Sequence, residues 1–91
     1  YKDKIKQIEI NKNFLSNELQ NLGFRVLPSS ANFILTTHNN YSGLELKNIL
    51  LREKILVRHF EYQDISNWVR VTIGTFAECT KVSDCLKKEL A

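Results

Sequence analysis

Two arginines, Arg58 and Arg70, lie inside the segments of this sequence that most resemble β-strands, ILVRHF and WVRVTIG. Arginine carries a planar, permanently charged fork of N–H donors that matches a carboxylate or a phosphate group. The interior of a strand is an unusual place for such a charge in a chain of 91 residues. Arg58 and Arg70 are therefore the first candidates for binding an anion.

Period-two alternation predicts which face of a sheet each arginine occupies. In the second segment Arg70 lies between Val69 and Val71, which suit a face covered by helices. Arg70 is therefore expected on the opposite face, where Arg58 on a neighbouring strand could join it in a cationic patch. His59 is expected on the other face from Arg58, in a structural role.

A purely structural role for the two arginines is the alternative. Each could pair with Glu53, Glu61 or Asp64, or extend over the edge of the sheet. The residue pattern alone leaves both interpretations open.

The elements that must position these residues follow from periodicity and turn signals. They are a helix to about residue 22, strands 24–27 and 32–37, a helix from 43 to about 53, strands 55–60 and 68–74, and a last helix from 76. The order α-β-β-α-β-β-α predicts one α+β domain over residues 1–91, a two-layer sandwich. Its sheet is expected to be largely antiparallel, with three or four strands and the helices on one face.

Helix boundaries have specific sequence signals. Gly23 is a natural residue to end the first helix, and PSS, at 28–30, predicts a turn. Ser42 with Glu45, and Thr75 with Glu78, predict capping boxes for the second and third helices.

The helix patterns also predict which side chains are buried. The apolar side of the first helix comprises Tyr1, Ile5, Ile8, Leu15, Leu19 and Leu22. The apolar side of the last helix comprises Phe76, Cys79, Val82, Leu86 and Leu90. Ile10 and Phe14 lie on the opposite side of the first helix. They are either scattered surface residues or part of a face that contacts a missing domain.

Composition and cysteine spacing limit the function classes. Hydrophobic residues make up 43% and charged residues 25%, as in a globular domain, and no apolar run predicts a membrane span. The net charge of +3 is too small to predict nucleic-acid binding. Cys79 and Cys85 are too far apart on a helix for a disulfide and lack partners at zinc spacing, which predicts free thiols in the cytoplasm. The absence of methionine and the start inside a helix predict a piece of a longer protein.

Three segments in order, FRVLPSSANFIL, ILVRHF and WVRVTIGT followed by a helix, resemble the C-terminal small domain of histidinol-phosphate aminotransferases. These belong to the fold-type-I pyridoxal-phosphate aminotransferases, and the resemblance covers nearly all of the chain after the first helix. It implies that Arg70 holds the anionic group of an amino-acid-like substrate over the cofactor and that Arg58 joins it in binding the substrate phosphate. The implied reaction transfers an amino group to 2-oxoglutarate in histidine biosynthesis.

The same resemblance implies what this chain lacks. The lysine that carries pyridoxal phosphate, and the aspartate that pairs with its pyridine nitrogen, belong to a larger domain of the same protein. The chain alone is therefore expected to be inactive and to contain no catalytic, cofactor-binding or metal-binding residue. The full-length protein is expected to be a homodimer.

Other functions remain as alternatives. A threonine-phosphate decarboxylase or a broad-specificity aminotransferase would use the same strands. A small ligand-sensing module usually has a different element order, and an RNA-binding sheet would need an aromatic motif that is absent. Asn32 is interpreted as a turn residue, His38 as exposed, and Trp68 as either a substrate contact or a cover for the core.

Overall fold

The computed structural model describes residues 2–28, 32–55, 57–59 and 67–90. Its elements are α1 (Lys2–Asn21), β1 (Phe24–Pro28), β2 (Phe33–His38), α2 (Gly43–Arg52), β3 (Arg58–His59), β4 (Val69–Thr72) and α3 (Phe76–Leu90). The predicted α+β class and the order α-β-β-α-β-β-α are confirmed.

The four strands form one sheet in the order β1-β2-β4-β3. All three neighbouring pairs are antiparallel, including the predicted pair of β1 and β2. Because β1 lies at an edge, it tolerates Pro28, which cannot donate a hydrogen bond to a sheet. The strand thus extends one residue into the predicted turn, whose Ser29 and Ser30 lie outside the described residues.

One face of the sheet carries the helices and the hydrophobic core. α1 and α2 contact the sheet, and α3 packs against both of these helices. The apolar side chains of β2 and β4 on this face are buried with those of the helices, and the core includes Leu15, Leu19, Ile34, Leu46, Leu50, Val69, Val71, Cys79, Val82 and Leu86. The alternation in β4 is as predicted, because Val69 and Val71 are buried while Arg70 is half-buried and Thr72 exposed.

The predicted signals at the helix ends are present. Gly23 has a φ of 92°, a left-handed conformation that glycine adopts most readily. Ser42 and Glu45 form a complete capping box. Glu78 donates its N–H to the Thr75 hydroxyl, and its carboxylate accepts the Thr75 N–H at 3.1 Å.

The third strand begins at Arg58, three residues after the predicted start at 55, and Leu56 and Phe60 lie outside the described residues. The turn after α2 continues to Ile55, whose N–H donates to the Leu50 carbonyl oxygen at 3.0 Å. Lys54 takes a positive φ of 62° in this turn. Ile55 and Val57 are therefore not in a strand, although both pack against the core.

The predicted apolar helix sides need three corrections. Ile5 and Phe76 are 50% and 49% exposed, and Cys85 is buried although it was not assigned to the core side. Phe76 instead contacts Phe14, with ring centroids 4.6 Å apart. Phe14 is half-buried against the core, whereas Ile10 is exposed.

Candidate anion-binding site

Arg58 and Arg70 lie directly opposite each other on neighbouring strands. The antiparallel register of β3 and β4 pairs Arg58 with Arg70 and His59 with Val69. Directly paired residues project from the same face of a sheet. The two guanidinium groups therefore share the face that the helices leave uncovered, and His59 shares the helix-covered face with Val69.

We call this uncovered side of the sheet the outer face. The register places eight described strand residues on it, namely Arg25, Leu27, Phe33, Leu35, Thr37, Arg58, Arg70 and Thr72. Three of these eight residues are arginines. Like charges directly opposite each other on a sheet repel each other.

The Arg70 side chain is half-buried and lies beside an aromatic ring. Its Cζ atom is 5.2 Å from the centre of the Phe33 ring, and its cross-strand neighbour on β2 is Leu35. Within the described ranges, no carboxylate forms an ion pair with Arg70; the three ion pairs found there join Lys12 to Glu9, Arg52 to Glu89 and Lys87 to Glu18. Glu61 and Asp64, two of the acids considered as partners, lie outside the described residues.

A second arginine–aromatic contact lies further along the outer face. Arg25 Cζ is 5.7 Å from the centre of the Trp68 ring, next to Thr37, which donates its hydroxyl hydrogen to the Asn67 carbonyl oxygen. Neither Arg25 nor Phe33 was identified from the sequence as part of a site. Period-two alternation could have placed Arg25 on a strand face, but not beside Trp68, because the cross-strand register is not visible in one sequence.

Two depressions in the described part of the chain lie beside the sheet. One depression of about 370 Å³ lies at the Arg25 and Trp68 end of the outer face. Another, of about 310 Å³, lies between α1, α3 and β4. Neither of these two depressions is lined by Arg58 or Arg70.

Two other candidates, His38 and Asn32, make contacts within the fold. His38 is half-buried, contrary to the prediction, because its Nε2 contacts the Leu22 carbonyl oxygen at 3.2 Å and its Nδ1 accepts the Asn40 N–H. The Asn32 carbonyl oxygen accepts the Ile73 N–H at 2.7 Å and extends the pairing beyond β2 and β4.

In the described part of the chain, neither the cysteines nor any cluster of metal-binding residue types forms a second candidate site. Cys79 and Cys85 are both free and buried, and burial is the main cause that raises the pKa of each thiol. Among the residues that the structure describes, no group of three or more His, Cys, Asp or Glu could hold a metal ion. In the same residues, no helix has the length and hydropathy needed to cross a membrane.

A family model for aminotransferases of class I and II matches residues 1–86. The chain belongs to this family. It is 44% identical over 77 residues to a histidinol-phosphate aminotransferase 2 from Dechloromonas aromatica, an alignment that covers 85% of this chain and 22% of that protein. The chain spans about a fifth of the length of the curated relatives that it matches.

Two solved structures of similar proteins show the same fold. The histidinol-phosphate aminotransferase from Clostridium acetobutylicum superposes with a TM-score of 0.86 and 29% identity, covering 98% of this chain and 28% of that one. The L-threonine-O-3-phosphate decarboxylase from Porphyromonas gingivalis gives a TM-score of 0.81 and 25% identity over 93% of this chain and 27% of that one.

Aminotransferases of class I and II generally use pyridoxal phosphate. The outer face of this chain does not fit the attachment of that cofactor. The strand positions of the outer face include no lysine that could attach it, and the buried Lys12 has its Nζ 3.3 Å from Glu9 Oε1 on α1. The outer face offers arginines, which suit the anionic group of a substrate.

Proposed function

We propose that this chain is the C-terminal domain of a histidinol-phosphate aminotransferase and that Arg70 and Arg58 bind the substrate's anionic group. The observation that carries this proposal is the direct pairing of the two arginines on the uncovered face of the sheet. The two cations would share one ligand, and a rigid pair of strands would hold them in place.

The names of the relatives support the choice of substrate. Relatives 37–44% identical to this chain are histidinol-phosphate aminotransferases from several bacteria. A phosphate group presents several charged oxygens, and two guanidinium groups can donate to different oxygens at once. Binding a dianion between the two arginines would also reduce the repulsion between their positive charges.

An open surface is not enough for tight and oriented binding. Exposed charges are weakened by water and by salt, and they interact strongly only when a second wall excludes solvent. We propose that a larger domain of the same protein supplies that wall, together with pyridoxal phosphate and the lysine that carries it. When bound there, the cofactor would act as the electron sink for amino transfer.

The role of this chain in the reaction would be orientation. Arg70 and Arg58 would hold the phosphate end of the substrate so that its amine meets the reactive part of the site at a fixed distance and angle. Binding energy gained far from the reacting atoms can in this way lower the barrier of the chemical step. The chain alone is predicted to be inactive because it lacks the cofactor-binding lysine.

The direct test is an assay of the full-length protein with histidinol phosphate and 2-oxoglutarate. We expect glutamate and the keto form of the phosphorylated substrate as products. If the protein instead releases carbon dioxide from threonine phosphate and does not form glutamate, the aminotransferase assignment is wrong.

The decarboxylase is a second candidate because of one specific observation, the TM-score of 0.81 to the L-threonine-O-3-phosphate decarboxylase. The paired arginines would serve a phosphorylated amino acid equally well. The higher identity of 44% to a histidinol-phosphate aminotransferase favours the first candidate. The homodimer and the cytoplasmic location expected from the sequence stay predictions.

A further inference from the structure

We propose that Phe33 is a positioning residue for Arg70, whose aromatic ring holds the guanidinium group in the orientation that meets the substrate's anion. This inference rests on the proposed anion-binding role of Arg70. It adds a specific residue on β2 to a site that otherwise involves only β3 and β4.

The sheet register brings the two side chains together. Phe33 pairs with Thr72, and Leu35 pairs with Arg70, so Phe33 is the diagonal neighbour of Arg70 on the outer face. Diagonal neighbours lie within reach when the side chains are aromatic or long. The distance of 5.2 Å from Arg70 Cζ to the ring centre is within the range of a cation–π interaction.

An aromatic ring suits an arginine that must bind a ligand better than a carboxylate does. The ring attracts the cation through its quadrupole but offers no oxygen to occupy the N–H donors of the guanidinium fork. A carboxylate would occupy two of these donors and neutralise the charge. Among the described acidic residues, none pairs with Arg70, so the ring restrains the side chain while donors stay available for an anion.

The restraint matters because an arginine side chain has many rotamers. Ordering a free arginine on binding costs conformational entropy, and a side chain that is already oriented avoids most of this cost. Arg70 is half-buried next to the ring, so loss of the ring should directly affect the orientation of its guanidinium group.

The test is Phe33→Leu in the full-length protein, with Phe33→Tyr as the conservative variant and Phe76→Leu as the matched control. We expect Phe33→Leu to lower kcat/KM for histidinol phosphate by roughly three- to thirtyfold, the range of a partly buried cation–π interaction. Phe33→Tyr keeps the ring and should restore kcat/KM to within about twofold. Phe76→Leu removes an exposed ring that contacts Phe14 instead and should leave kcat/KM unchanged.

A double-mutant cycle separates positioning from general damage to the fold. In an Arg70→Ala background, Phe33→Leu should cause no further loss of kcat/KM, because the residue that it positions is gone. An equal loss in both backgrounds, or no rescue by Phe33→Tyr, would overturn the proposal. If Phe33→Leu does not fold, Phe33→Ile keeps a strand-compatible side chain and is expected to show the same loss.

The design also separates this inference from the proposed function. If Arg70→Ala lowers kcat/KM and Phe33→Leu does not, only the role of Phe33 is wrong. If Arg70→Ala itself has no effect on kcat/KM, the anion-binding role of Arg70 is wrong, and the inference falls with it.

Discussion

The two faces of the sheet carry different types of side chain. The face under the helices carries buried aliphatic side chains such as Ile34, Val69 and Val71. The outer face carries Arg25, Arg58 and Arg70, accompanied by aromatic rings. Alternating residues of one strand, β4, thus serve two surfaces with opposite chemistry.

This difference predicts that one face contributes mainly to the stability of the fold and the other mainly to substrate binding. Buried apolar side chains stabilise the fold through removal from water, and the helix-covered face contains nearly all of them. The outer face holds like charges in direct opposition, which weakens a sheet. We therefore expect substitutions on the two faces to have separable effects, on stability for one and on substrate binding for the other.

The largest effect is expected from a core leucine. Leu19 is fully buried in α1, and Leu19→Ala should lower the free energy of unfolding by about 2–5 kcal/mol. Molecules that stay folded should keep a normal kcat/KM, which distinguishes this face from the other. Chemical denaturation measures the first quantity, and Leu51→Ala, at an exposed position of α2, is the matched control with a change within about 0.5 kcal/mol.

Arg70→Ala tests the outer face. Arg70→Ala removes one partner of a charged, partly desolvated contact. It should therefore lower kcat/KM for the phosphorylated substrate by an amount equivalent to about 2–4 kcal/mol of transition-state stabilisation. The melting temperature should change little, because removal of the repulsion from Arg58 offsets the loss of the contact with Phe33. Arg52→Ala, an exposed arginine paired with Glu89, is the control, and wild-type kinetics in Arg70→Ala would contradict the assignment.

Arg58→Ala asks whether the second arginine is specific for phosphate. We expect it to lower kcat/KM for histidinol phosphate by an amount equivalent to about 1.5–3 kcal/mol, as for a lost hydrogen bond to a charged group. The effect on kcat/KM for 2-oxoglutarate should be much smaller. The two half-reactions can be measured separately by rapid mixing. Equal losses for the two substrates would indicate a general carboxylate-binding role.

The smallest effect concerns the start of α3, which follows β4. The Thr75 N–H, and then its hydroxyl, hold the pKa of Glu78 below its ordinary value. A lowered pKa in the folded state stabilises the protein above the unfolded pKa, and this contribution is lost as the pH falls through the folded value. Glu78→Gln should therefore lower the melting temperature slightly at pH 7, and the difference from wild type should shrink below about pH 4. A difference that is independent of pH would contradict this.

Local signals in the sequence predicted most of the fold. The capping boxes at Ser42 and Thr75, the end of α1 at Gly23 and the alternation around Arg70 depend only on neighbouring residues, and the structure contains all of them. The start of β3 was missed because the turn after α2 is closed by the bond from Ile55 to Leu50, which no short motif indicates.

The outer face was predictable only in part. Alternation and the family resemblance identified Arg58 and Arg70 as candidates, but the contacts of Phe33 and Arg25 depend on strand order and register. The order β1-β2-β4-β3 places β2 beside β4, and the diagonal contact of Phe33 with Arg70 follows only from that arrangement. His38 was wrongly predicted to be exposed because its contact is also long-range. Its partner Leu22 lies 16 residues away in the sequence.

The most direct test of a shared anion site is a double-mutant cycle on Arg58 and Arg70 in the full-length protein. The variants Arg58→Ala, Arg70→Ala and the double substitution are compared by kcat/KM for histidinol phosphate and for histidinol, the same amine without its phosphate. We predict a coupling energy above about 0.5 kcal/mol with the phosphorylated substrate and none with histidinol. Additive losses with histidinol phosphate would show that the two arginines do not bind the same group.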